Sequence, residues 1–384
     1  MSSIEIKRVT SKRDLEKFIQ FRYDLYRGNK YDAPNLYSDE LHTLSRDMNS
    51  AFEFCEAEYF LAWKDGKVVG RVAGIINHRY NNQWNRSAVR FGWIDFIDDT
   101  EVSAALLKAV EEWGREKGMT EIIGPLGFTD MDPEGMLTKG FEELGTMATI
   151  YNYEYYPRHM ENMEGYEKDN DYVEYKVFVP EKGMPEKMKR VAELCMQRYN
   201  LHTPRLKRSQ VFGPEQYGQK VLEVVNKTFG QLYGFSQMTQ RQIDEYVQMY
   251  FKYFDMDMIC VIEDWNTPGH DVIGVGITIP SLSKALQKCR NGRMLPFGWW
   301  HVMRALKFHK TDIVDLLLVG ILPEYRAKGA NALLFYHLIP IYQKYGFKWG
   351  ETHVEMESND KVQSQWQYFE NEQHKKRRCY KKLL

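Results

Sequence analysis

The sequence predicts a mixed α/β protein of two tandem domains, each a twisted mixed sheet flanked by helices. Three observations lead there. The 384 residues exceed one average domain. One order of elements, β-α-α-β-β-β-α-β-α-β, can be read twice along the chain. Residues 313–322 form a near-continuous apolar run of the kind buried on both faces of a sheet.

In the first domain, residues 1–180, a strand is expected over 4–9 and a helix over 12–26, with Leu15, Phe18, Phe21 and Leu25 as its apolar stripe. A hairpin over 59–63 and 68–77 turns at Asp65-Gly66. A strand over 90–97, a helix over 101–117 ended by Gly118, and strands over 121–123 and 172–179 complete the set. The linker falls in 180–185, where EKGMP breaks both periods. In the second domain, residues 181–384, the order is a strand over 201–206, helices over 218–229 and 241–254, a hairpin over 258–263 and 272–279, the apolar strand, a helix over 330–345, a strand over 351–357, a helix over 361–369 and a last strand ending near Tyr380.

Composition narrows the class. A hydrophobic fraction of 43% supports packed cores rather than disorder. A net charge of -1 gives no field that would select nucleic acid. The cysteines Cys55, Cys195, Cys260, Cys289 and Cys379 form no C-x-x-C pair, which argues against a zinc site or disulfide framework and fits a reducing cytoplasm. The charged opening segment has no apolar stretch of a signal peptide, and no run approaches the ~18 apolar residues of a membrane span.

The stretch LLLVGILPEYRAKGANALL, residues 316–334, carries the chemistry. A buried strand runs into a basic, glycine-containing turn and directly into a helix. Unpaired N–H groups and the helix dipole favour an anion there, Gly329 permits close backbone approach, and Arg326 and Lys328 add full charges. A pyrophosphate suits such a turn. The pattern resembles the coenzyme A pyrophosphate loop of the GNAT superfamily, R/Q-x-x-G-x-G/A. Arg326 and Gly329 match it, and Asn331 stands where the family has Gly or Ala. The resemblance implies a GNAT fold and an acyl-CoA-dependent N-acyltransferase. Coenzyme A would meet Arg326, Lys328, Gly329, Ala330 and Asn331, and the backbone of Val319 and Ile321 would polarise the thioester carbonyl. At the same position the first domain has Asp98, Asp99 and Glu101 and no glycine, so it resembles a GNAT unit that has lost its cofactor site.

An amine nucleophile has a pKa near ~10 and must lose a proton. Along 351–357, Glu351, His353, Glu355 and Glu357 share one face. Glu355 and His353 are the candidate bases. The same alternation also fits an edge strand with one solvated face. GNAT enzymes often place an acidic tyrosine on the following helix. Trp366 holds that position here, and Tyr368, two residues on, is the candidate.

Further segments stand out. Residues 151–156, YNYEYY, suit either a core or a groove between domains. With FGWIDFIDD, GPLGFTD and DMDPEGML, they resemble a bacterial group that includes ceramide-synthase-type N-acyltransferases, which implies a sphingoid-type lipid amine as acceptor. From Val272 to Thr311 there is no Asp or Glu, and residues 281–311 interleave Lys and Arg with Phe and Trp. That insertion reads as an interfacial membrane element, as a lid, or as a helix packed on the first domain. The run His374 to Arg378 reads as a solvated strand face or as a contact for the 3′-phosphate of coenzyme A. Two other functions fit less of the sequence: a Fem-like aminoacyl transferase using charged tRNA, which the near-neutral charge disfavours, and a non-catalytic acyl-CoA-binding protein.

Overall fold

The Asp65-Gly66 hairpin forms as its turn chemistry dictates, both residues taking the left-handed conformation at φ 51° and 72°. Around it the computed structural model, which describes residues 3–384, builds fourteen strands. They are β1 Glu5–Arg8, β2 Cys55–Lys64, β3 Lys67–Asn77, β4 Ala88–Phe96, β5 Glu121–Gly124, β6 Met136–Lys139, β7 Glu167–Phe178, β8 Leu201–His202, β9 Ile259–Asp264, β10 Asp271–Pro280, β11 Ile313–Ile321, β12 Trp349–Thr352, β13 Glu355–Met356 and β14 Asn371–Leu383. The helices that matter below are α1 Lys12–Leu25, α2 Thr100–Glu116, α3 Glu186–Tyr199, α4 Tyr217–Thr228, α5 Gly298–Phe308 and α6 Asn331–Tyr345. Ser11 caps α1 and Asp99 caps α2, each side chain accepting a first-turn N–H.

The expected elements are largely present, with four physical departures. The helix over 361–369 is α-helical only for Asp360–Gln363 and winds on as a 3-10 turn over Ser364–Tyr368. The strand over 201–206 shrinks to Leu201–His202, and α3 precedes it. The helix over 241–254 stays α-helical only for Gln240–Tyr246 and widens into a π turn at Val247–Phe251. The strand over 351–357 breaks into β12 and β13, because its second part leaves β11 and pairs with β7 alone.

All strands join in one sheet, ordered β1-β2-β3-β4-β5-β14-β7-β12-β11-β10-β9-β8, with β6 on β14 and β13 on β7. The centre of this order is an exchange. The last strand of the chain, β14, lies antiparallel between β5 and β7, while β7, from the first half, pairs with β12 of the second. Helices cover both faces. Helix α2 packs on β3 and β4, α4 on β10 and β11, and α6 on β9, β10 and α3. Each half has its own apolar clusters on the two sides of its sheet.

The exchanged strands carry buried charge. Lys375 and Arg377 of β14 are each 1% exposed, and Glu174 of β7 and Glu351 of β12 are 0% and 2% exposed. Arg377 Nε binds Glu174, Lys375 Nζ binds Glu351 at 2.6 Å, and His374 Nε2 lies 2.7 Å from the same Glu351 oxygen. Burial pushes Glu174 up, but Arg377 and Lys375 more than offset it and hold the carboxyl below its ordinary value. In the run His374–Arg378, His374, Lys375 and Arg377 are therefore buried and not free for a phosphate, while Lys376 and Arg378 stay part-exposed. Its charges meet Glu174 and Asp171 of β7, Glu351 of β12, and Glu143, Glu161 and Glu357 outside those strands.

A broken pair of this kind leaves an uncompensated buried charge. Arg377→Ala is expected to lower stability by about 3–5 kcal/mol, measured by denaturant unfolding, with signals from both halves moving together. A variant that unfolds in two steps, only one of them displaced, would contradict the shared centre.

Candidate functional site

The site begins where two parallel strands part. β11 and β12 pair only from Ile313–Trp349 to Leu316–Thr352, and the last tie is His353 N–H donating to Leu316 O at 3.1 Å. At that point β11 holds one extra residue. Ile277 of β10 faces Leu318 and Thr278 faces Leu316, which leaves Leu317 as a bulge. Beyond it the strands diverge, and a cavity of about 200 Å³ opens between them. Phe335, Leu338 and Ile339 of α6 line one side and Phe229, Leu232 and Tyr233 another.

The far end of β11 presents its backbone to this gap. Leu322 N–H donates to Ile273 O at 2.9 Å, toward β10, whereas Ile321 O accepts from Arg326 Nε at 2.8 Å on the opposite edge. Backbone alternation puts Val319 on that same open edge. Val319 also lines the cavity. The strand ends in the basic turn. Arg326 is held by its bond to Ile321, and the Lys328 ammonium lies 4.1 Å from the Tyr325 ring centroid. Gly329 has φ 78°, and an added Cβ would meet Val191 of α3 at 2.7 Å, so its lack of a side chain serves both turn and packing. Among the described residues, the N–H groups of Ala330 and Asn331 have no hydrogen-bond partner, and both stand at the start of the fifteen-residue α6. Basic side chains, free amides and an open strand edge are together the donor set that a pyrophosphate and its amide-bearing arm require.

His353 and Glu355 both line the cavity. His353 Nε2–H donates to Ala148 O at 3.1 Å, a carbonyl of the first half, which leaves Nδ1 as an acceptor. Burial holds its pKa below the ordinary value. Glu355 accepts from Trp366 Nε1 at 3.0 and 3.2 Å, and burial pushes its carboxyl up to about 8. The other members of the expected face go elsewhere. Glu351 is fixed by Lys375, and Glu357 pairs with Lys376 at 2.6 Å in solvent. Tyr368 does not line the cavity. Its ring packs beside Lys187 of α3, because the segment after Asp360–Gln363 winds as a 3-10 turn that points Trp366 inward instead.

The first half has the same strand geometry with a filled site. β4 and β5 pair only from Ala88–Glu121 to Arg90–Ile123, and β4 is bulged, two of its residues facing one of β3, with Trp93 at φ 45°. Its open edge is plugged by Asp95, which binds Arg71 at 2.8 Å and Arg22 at 3.1 Å. At the turn, Asp99 binds Lys64 at 2.8 Å and Asp98 meets His159 at 2.9 Å. The tyrosines of 151–156 are core rather than groove. Tyr153 stacks on Tyr26 and on Tyr155, and Tyr156 bonds the Tyr26 hydroxyl.

Sequence reasoning missed one part of the wall. Asp130 and Glu134, in the loop from β5 to β6 of the first half, line the cavity. The segment DMDPEGML was visibly unusual, but nothing local in it says which cavity it faces.

No protein-family profile matches the chain. It is 26% identical over 329 residues to Protein YghO of Escherichia coli (strain K12), covering 84% of this chain and 79% of that one. It is 22% identical over 325 residues to the bacterial ceramide synthase of Caulobacter vibrioides, covering 84% and 81%. A solved tandem GNAT protein from the clavulanic acid biosynthesis pathway superposes with a TM-score of 0.57 at 11% identity, covering 99% of this chain and 98% of that one. The chain has the GNAT fold. Within that fold, the bulged β11, the split from β12 and the turn before α6 form an open cleft, and the corresponding gap at β4, β5 and α2 is filled by its own side chains.

Proposed function

We propose that the chain is an acyl-CoA-dependent N-acyltransferase whose donor site is in its second half. The observation that carries this reading is the cavity at the strand split, which joins a turn with two unpaired amides and a free strand edge to two half-buried groups able to accept a proton. Coenzyme A supplies the acyl group as a thioester. Ala330, Asn331, Arg326 and Lys328 would hold its pyrophosphate, and the open edge from Val319 to Ile321 would orient its arm. Glu355 then takes the proton from the attacking amine. A carboxyl near 8 is a far better base than an ordinary one, because its proton affinity approaches that of the amine. Neutral His353, with Nδ1 free, accepts a hydrogen bond from the same amine or relays its proton. The second half alone offers the anion site, so the first half binds no donor.

The acceptor in this reading is a lipidic amine. The relative named as a bacterial ceramide synthase supports it, as do the apolar cavity and the insertion. The insertion anchors on the first half through Gln287, which donates to Lys30 O and Asp32 O, and it ends in an apolar tip. Leu295 and Phe297 are 75% and 74% exposed, and Trp299 and Trp300 beside them are also exposed. Arg290, Arg293, Arg304 and Lys307 surround them, each worth roughly 1 kcal/mol at an anionic surface. No helix among the described residues is long and apolar enough to cross a membrane. The protein would work on the cytoplasmic leaflet, where its five free cysteines stay reduced.

Two outcomes are expected. Because Glu355 acts deprotonated, turnover should rise with pH through about 8, and Glu355→Gln should lower it about 10²–10⁴-fold and remove that limb, with coenzyme A affinity kept. Full activity in Glu355→Gln, His353→Ala and the double variant would leave an acyl-CoA-binding protein without this chemistry. The protein should also co-sediment with phosphatidylglycerol vesicles, less so as salt rises, and Trp299→Ala/Trp300→Ala should lose this while remaining folded. No sedimentation, with activity on short amines only, would make the insertion a packing element.

A further inference from the structure

The cavity has an acidic end that the chemistry above does not use. The loop between β5 and β6 brings Asp130 and Glu134 to it from the first half. Glu134 is 7% exposed, and its Oε2 has no hydrogen-bond partner. Asp130 Oδ1 is also buried without one, and the hydroxyl of Tyr172, in the same wall, faces Glu134 closely enough to draw its carboxyl down. A buried carboxylate normally has a partner. The nearby cation, Arg90, draws both carboxyls down through its charge without bonding either of them, and its Nε is itself unpartnered. Its guanidinium donates to Gly127 O at 3.0 Å and Gly234 O at 2.8 Å and lies over the Tyr80 ring. Burial pushes Glu134 up to about 8 and Asp130 up to about 7, so an arriving cation would find groups ready to ionise.

The rest of the surroundings select the cation. No cluster of three His, Cys, Asp or Glu side chains among the described residues is arranged to hold a metal ion. Phe229, Leu232 and Tyr233 beside the two carboxylates suit an apolar body attached to the charge. Gly234 keeps the space open, since a Cβ there would come within 3.2 Å of Glu134 Oε2. The proton acceptor is close in the fold: β13 sets Glu355 opposite Val173 and Met356 opposite Tyr172.

We infer that Glu134 and Asp130 bind the ammonium of a primary amine with an apolar body, so that the first half recognises the acceptor for a reaction performed in the second. This rests on the N-acyltransferase reading for its consequence, but not for the binding itself. The ammonium docks against the carboxylates and passes one proton to Glu355. The neutral amine then attacks the thioester carbonyl, the C–S bond breaks, and the amine's second proton leaves with the departing thiolate as the thiol of coenzyme A. Glu134 and Asp130 are thus positioning residues, not the base.

Binding of decylamine to the full chain without any acyl donor tests this, with decanol as the neutral counterpart and butylamine as the short one. Decylamine should bind about 30-fold or more tighter than decanol. Glu134→Gln should lose about that factor, with coenzyme A affinity unchanged, and Glu134→Asp should recover part of it. In turnover, Glu134→Gln should raise the KM for the amine and leave kcat within about threefold, whereas Glu355→Gln should do the reverse. Equal binding of decanol and decylamine, or a Glu134→Gln/Asp130→Asn protein that still binds decylamine as wild type does, would overturn the assignment. Butylamine binding as tightly as decylamine would overturn the apolar body. If decylamine binds as expected but coenzyme A does not, the donor reading fails and the amine site stands.

Discussion

The rest of the structure depends on β14 lying between β5 and β7. The final strand of the chain completes the first half, and the first half in return gives β7 to the second. The Arg377–Glu174 pair, between β14 and the adjoining β7, and the Lys375–Glu351 pair, which reaches across β7 to β12, fix this arrangement, since each charge would be costly without its partner. Two consequences follow for the site. β12 has β7 rather than β14 as its neighbour, and β13 is held by β7 after β12 has left β11. The same exchange carries Ala148 to His353 and the β5–β6 loop to the cavity, so that a site built on second-half strands has first-half walls.

The two clefts share a backbone and differ in what fills it. Both have a parallel pair that separates beside a bulge. In the first half the gap holds Asp95 with Arg22 and Arg71, and the turn satisfies itself through Asp98 and Asp99. In the second half the edge carries Val319 and Ile321, and among the described residues the amides of Ala330 and Asn331 stay unpaired. Internal ion pairs would compete with a polyanion for the same positions, and the first half has them at both its strand edge and its turn.

Much of this was legible locally. Turn chemistry at Asp65-Gly66, the acidic cap at Asp99 and the glycine turn at Gly329 depend on neighbours in sequence and formed as read, and the apolar run of β11 formed a strand whose stretch from Leu316 to Val319 is part-exposed along the cavity rather than buried. What failed depended on distant partners. The run His374–Arg378 reads as solvated because its carboxylates, Glu174 and Glu351, lie on other strands. The alternation of 351–357 reads as one strand because the switch from β11 to β7 leaves no mark in it. The place of Tyr368 was hidden by the 3-10 winding before it. Asp130 and Glu134 lay in a segment already marked as unusual, but only the exchange of strands shows that they face the same space as Glu355.

Calorimetric titration with coenzyme A tests most directly whether donor binding belongs to one half. One equivalent per chain is expected, abolished by Gly329→Glu and unchanged in number by Asp98→Ala. Two equivalents per chain, or tight binding that survives Gly329→Glu, would contradict the account.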